Sequence, residues 1–144
     1  MHVSPGRFAA LRLRPGDDLL AGLRAGRDAM AAAAVAVVTC VGSLATARIR
    51  HAGRDEATSR DGPFEIVSLV GTVDPAHQHL HIGLADGEGR VRGGHLLRGS
   101  TIYTTAEVVL VALDALRFDR APCPLSGYRE LVVRAAEGDA PPRG

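Results

Sequence analysis

The chain has 144 residues, 46% of them hydrophobic, which is enough for one compact core and too few for two ordinary domains. Seventeen basic residues, every one an arginine, face sixteen acidic ones at a net charge of +1, so the cationic excess behind autonomous DNA binding is missing. No apolar run reaches the length of a membrane span, the N-terminus lacks a secretory order, and Cys40 and Cys123 have no paired spacing, so a reducing cytoplasm is expected.

In chain order, residues 8–14 alternate apolar and polar side chains and predict a half-buried strand, ended by Pro15-Gly16. Asp17 offers an N-cap oxygen, and Leu19, Leu20, Leu23 and Met30 recur at helical spacing, predicting one helix to about residue 33 despite Gly22 and Gly26. Residues 35–41 are rich in β-branched side chains and read as a buried strand. After a break at Gly42-Ser43, residues 45–50 read as a strand wet on one side. Residues 51–63 are polar and read as a surface loop closed by Asp61-Gly62-Pro63. Residues 64–73 form a strand ended by Asp74-Pro75. Glu65 lies in this otherwise apolar run, so it is expected to pair with an arginine or to belong to a site. Residues 79–85 and 90–97 read as strands, 102–116 as a long strand or a pair, and 128–133 as the last strand. The small, charged, proline-rich residues 135–144 read as a disordered tail, leaving 1–134 as a single domain.

Four of six histidines fall within residues 77–95, as His77, His79, His81 and His95. In a strand, His79 and His81 share a face. Between the two strands, Asp86-Gly87-Glu88-Gly89 has the composition of a three-residue hairpin loop with glycine at the left-handed position. That loop puts His81 opposite His95 and His79 opposite Leu97, so His79, His81 and His95 converge on one surface. A two- or four-residue loop, or a bulge at Gly93-Gly94, would turn His95 away. Three imidazoles with an open fourth position suit a divalent metal, zinc first, with nickel, copper or non-haem iron behind it, and could hold water or a small anion. His77 is expected to be exposed beside its turn, and His2 and His51 to be surface residues.

Glu107 and Glu65 are the catalytic candidates. Glu107 could orient a histidine or move a proton beside a metal-bound water, and a strand-edge salt bridge is the plain alternative. Cys123, between Pro122 and Pro124, has no local base and is expected to be inert. Arg12, Arg14, Arg48 and Arg50 could form an anion-binding stripe, with solvated faces the favoured reading.

The runs Gly62-Pro63-Phe64-Glu65-Ile66-Val67-Ser68-Leu69-Val70-Gly71, His79-Leu80-His81-Ile82, Asp86-Gly87-Glu88-Gly89, Gly93-Gly94-His95-Leu96 and Thr104-Thr105-Ala106-Glu107-Val108 carry a resemblance. Together they resemble the plant-and-prokaryote-conserved (PPC) domain in its bacterial and archaeal single-domain form, over roughly residues 8–133. The resemblance implies an α/β (α+β) fold, a mostly antiparallel sheet flanked by one or two helices, assembled as a homotrimer. It also implies a metal site at His79, His81 and His95, and a DNA-binding label common among prokaryotic members. The Arg-Gly-Arg-Pro hook that precedes the domain in plant relatives is missing, so DNA contact would need a composite surface in the trimer. The combined expectation is a cytoplasmic, trimeric, metal-holding binding protein, associated with DNA or transcription through partners. The alternatives are a metal-dependent enzyme acting on a small molecule and a purely structural trimerisation module.

Overall fold

The computed structural model describes residues 1–136. Strand β1 (Gly6–Leu13) forms where the alternation predicts it, with Leu13 turned into the core. Helix α1 (Leu19–Ala29) starts later than expected because the cap is Asp18, whose side chain accepts the Ala21 N–H at 2.8 Å. Asp17 instead accepts the Arg14 N–H at 2.7 Å. The helix also ends early, at Met30, because Ala31 turns left-handed at φ 49°. Leu19, Leu20 and Leu23 bury its apolar face.

Strand β2 (Val35–Arg50) runs through the expected break at Gly42-Ser43, which appears as a register shift inside one long strand. Strand β3 (Ala57–Val73) corrects the predicted loop, which shrinks to residues 51–56. The polar stretch is extended because β2 templates it: Ile49 pairs with Thr58, Arg48 with Ser59 and Ala47 with Arg60. Ladder hydrogen bonds need only backbone, and the inward Ala47 and Ile49 supply the apolar face.

Strands β4 (Gln78–Ala85) and β5 (Val91–Leu96) form the histidine hairpin, and β6 (Thr101–Leu113) follows. The chain continues into β7 (Leu116–Pro122), most of which was not expected, and β8 (Arg129–Ala135). Ala135 therefore still belongs to a strand, and the Ala136 N–H bonds the Ala115 carbonyl at 2.9 Å. The remainder of the expected tail, residues 137–144, lies outside the described residues.

Every strand pairing is antiparallel, in the order β1-β6-β2-β3-β4-β5, with β7-β8 as a separate hairpin. One additional pairing, β2 with β5, closes β2, β3, β4 and β5 into a ring. Among the described residues there is one helix, whose Leu19, Leu20 and Leu23 join Leu44, Leu80, Leu96, Leu110 and their neighbours in the main core. The sheet leaves Phe8, Val38, Val41, Val67, Val70 and Tyr103 exposed on β1, β2, β3 and β6. No described helix is long and apolar enough to cross a membrane.

Candidate metal centre

The hairpin between β4 and β5 is pinned by its turn. Asp86 Oδ1 accepts the N–H groups of Glu88 and Arg90, each at 3.0 Å, and Oδ2 accepts Arg90 Nε at 3.0 Å. Gly89 takes the left-handed position at φ 76°, and its N–H donates to the Asp86 carbonyl at 2.8 Å. The Arg90 side chain, followed by its backbone N–H, holds the Asp86 carboxyl below the usual range. This turn gives the expected register, from Ala85 opposite Val91 down to His81 opposite His95. The pairing of His79 with Leu97 does not form: β5 crosses toward β2, and the Leu97 N–H donates to the Arg48 carbonyl at 3.0 Å. Alternation still sets His79 and His81 apart from Leu80 and Ile82, which are buried.

Glycines let the strands come close enough. Gly71, opposite Leu80, has φ 132°, and a Cβ there would lie 1.9 Å from the His79 carbonyl oxygen. Gly93 and Gly94 permit β5 to lie between two neighbours, since their Cβ atoms would meet the Ile82 and Arg50 carbonyl oxygens at 2.4 Å and 2.5 Å. The residue after them, His95, is thus held between His81 of β4 and Arg50 of β2.

The three rings form a cluster, with centroids 5.0 Å apart for His79–His81, 5.3 Å for His79–His95 and 5.6 Å for His81–His95. One nitrogen from each lies within 4.8 Å of the others. Zinc–nitrogen bonds of about 2.0–2.1 Å in a tetrahedron need nitrogens roughly 3.3 Å apart, so the rings would have to swing inward by side-chain rotation. Burial pushes the His79 imidazole below its ordinary value, with help from His81 and Arg120 against Glu130. Burial also lowers His95, followed by Arg50 and the other two rings. Both shifts favour neutral imidazole, the form that ligates metal. The three imidazole donors therefore fit a divalent ion.

The cluster opens on a cavity of about 360 Å³, whose wall includes Arg50 and, from the β7–β8 hairpin, Arg120, Tyr128, Arg129 and Glu130. Sequence singles out none of these for this site; Arg50 belongs to the separate arginine stripe, whose Arg12, Arg14 and Arg48 do not line the cavity. The strand that carries Arg120 was not expected from sequence, and which hairpin meets the histidines is a long-range contact. His77 is exposed as expected, on the cavity rim, with Nδ1 3.9 Å from Asp74 Oδ1. His51 Nδ1 lies 3.3 Å from the Gly93 carbonyl oxygen, and His2 is exposed.

The two carboxylates suggested by sequence lie elsewhere. Glu65 is exposed rather than buried, because it alternates with buried Ile66, and it pairs with Ala85 at the other end of β4 from His79. Glu107 is exposed on β6, opposite Arg12 and Val41. Neither lines the cavity. Burial pushes the Cys40 thiol up to about 11, whereas the Ser126 N–H and hydroxyl lower Cys123.

Fold and site together define a mainly antiparallel β protein carrying three metal-competent imidazoles on one hairpin. The model of the Plants and Prokaryotes Conserved (PCC) domain matches residues 2–114, and the chain belongs to that family. Over 136 residues, 94% of this chain, it is 40% identical to the bifunctional protein GlmU of a Synechococcus strain, and it spans 22% of that protein's length. Among solved structures, a hypothetical protein from Salmonella cholerae-suis is 40% identical with a TM-score of 0.91, covering 93% of this chain and 97% of that one. A metal-containing protein from Archaeoglobus fulgidus is 26% identical at a TM-score of 0.75, covering 92% and 99%. A Ralstonia eutropha chain named as a candidate DNA-binding protein is 21% identical at a TM-score of 0.73, covering 85% and 89%, which shows the fold alone.

Proposed function

We propose that residues 1–134 form one PCC domain that holds a divalent metal, zinc first, on His79, His81 and His95, and works as a homotrimeric, cytoplasmic binding module. The observation that carries the metal is the approach of three imidazole nitrogens to within 4.8 Å of one another from two adjacent strands. The metal-containing relative from Archaeoglobus fulgidus supports it. Self-association is supported by six large apolar side chains left exposed on four neighbouring strands, a surface that a second copy could cover. DNA association rests on the Ralstonia neighbour's name; with a net charge of only +1 it would have to come from a surface assembled in the trimer or from partners.

The test is metal analysis of the purified protein after zinc loading and dialysis. About one zinc per chain is expected for the wild type, with loss in His81→Ala and in His95→Ala, and a rise in melting temperature on adding zinc. Absence of bound metal with an unchanged melting temperature would leave only the structural trimerisation reading. Sedimentation equilibrium should give three times the chain mass, and duplex DNA that does not bind even at low salt removes the DNA branch. One observation favours the enzyme reading: the open side of the cluster faces a cavity that Glu130 lines. In that reading Glu130 replaces Glu65 and Glu107 as the proton-transfer group beside a small-molecule substrate.

A further inference from the structure

Arg120 lines the histidine cavity with too few partners. Its side chain is only 7% exposed, and its Nε lies 3.7 Å from Asp74 Oδ2, beyond hydrogen-bond reach. Arg120 Nε and Nη2 both lack a hydrogen-bond partner, as does Asp74 Oδ2. The other Asp74 oxygen is occupied, accepting the Ala76 and His77 N–H groups at 2.9 Å and 2.6 Å. A small rotation would join Nε to Oδ2 and still leave Nη2 as a buried donor with no acceptor. Buried guanidinium groups left in that state are costly, and native proteins fill the vacancy.

The surroundings select what could fill it. Arg50 and Arg129 line the same cavity as Arg120, against the single acid Glu130. Arg129 Nη2 donates to the Arg120 carbonyl at 2.6 Å, which keeps its guanidinium close to the Arg120 strand. Planar guanidinium forks match the paired oxygens of a carboxylate or the face of a phosphate. A cavity of about 360 Å³ has the capacity of a small-ligand site.

We propose that this cavity binds a small molecule through a carboxylate or phosphate group, with the oxyanion seated on Arg120 and Arg129. The arginines belong to β7 and β8 and the imidazoles to β4 and β5, so this oxyanion site shares the cavity with the proposed metal and does not require it.

Isothermal titration calorimetry of the full chain, stripped of metal and dialysed, provides the test, with oxalate and inorganic phosphate as separate probes. At least one is expected to bind with a Kd below about 1 mM, and the stronger of the two names the headgroup. Arg129→Gln should weaken that binding about tenfold, as should Arg120→Lys, which keeps a positive partner for Asp74. Arg98→Gln, off the cavity, should leave it unchanged. The proposal is overturned if neither probe binds up to about 10 mM, if Arg129→Gln binds like the wild type, or if Arg98→Gln loses as much. Zinc binding by the loaded wild type and oxyanion binding by the stripped wild type are read in separate measurements, so failure of the metal reading and failure of this one are separately visible.

Discussion

Replacing Gly71 by alanine should damage both the sheet and the histidine cluster. Gly71 sits at φ 132°, and its added Cβ would lie 1.9 Å from the His79 carbonyl oxygen and 2.9 Å from Leu80 Cα. Restoring ordinary contact requires β4 to retreat by more than about 1 Å at His79. The disfavoured backbone costs about 1–3 kcal/mol, and weakening two ladder hydrogen bonds adds about 1 kcal/mol each. A total of roughly 3–5 kcal/mol should lower the melting temperature by about 10 °C in a chain of this size. Zinc at a hundredfold excess over its Kd should raise the wild-type midpoint by the equivalent of about 2.7 kcal/mol, and most of that rise should vanish in Gly71→Ala as His79 is displaced. Gly87, whose added Cβ meets nothing within 4 Å, is the control, and Gly87→Ala should be close to neutral. Thermal melts by circular dichroism with and without zinc decide the matter. A Gly71→Ala variant that melts within about 1 °C of the wild type, with the full zinc-dependent rise, refutes the close-approach argument.

Asp86→Asn should lower the melting temperature at neutral pH by loosening the turn. The folded carboxyl is held below its unfolded value, so its stabilisation is present above the unfolded pKa near 4 and is lost as pH falls through the folded value; the gap between variant and wild type should close on acidification. Cys123 should be alkylated by iodoacetamide at pH 8 much faster than Cys40, whose thiol is buried and pushed up to about 11, leaving roughly one thiolate in a thousand. Peptide mass mapping over time reads the two rates, and equal rates would contradict the burial of Cys40. Leu80→Ala removes a fully buried side chain from between the two histidines of β4 and should cost about 2–5 kcal/mol by urea denaturation, with a loss below about 1 kcal/mol arguing against its place in the core.

What could be read from sequence was the part governed by local chemistry. The Asp86-Gly87-Glu88-Gly89 turn fixes the register of its own hairpin, so the meeting of His81 and His95 was legible before any long-range contact was known. The first half of β3 was not, because residues 57–63 are polar and gain their extended form from β2 rather than from their own side chains. Glu65 illustrates a signal present and passed over: its alternation with Ile66 already placed it on the outer face. Arg120, Arg129 and Glu130 are separated from His79 by some forty or more positions in the chain, and no local pattern states that their hairpin lines the same cavity.

His95 has Gly94 as its neighbour, β4 on one flank and β2 on the other, at the point where the four-stranded ring meets itself. It is therefore a stitch in a seam as well as an imidazole. Whatever grips that ring also resists the parting of β2 from β4, so an occupant of the cavity would be felt as slower amide exchange along β5, far out of proportion to the few atoms it touches. Chemistry at the site and mechanical closure of the ring thus lie along a single coordinate.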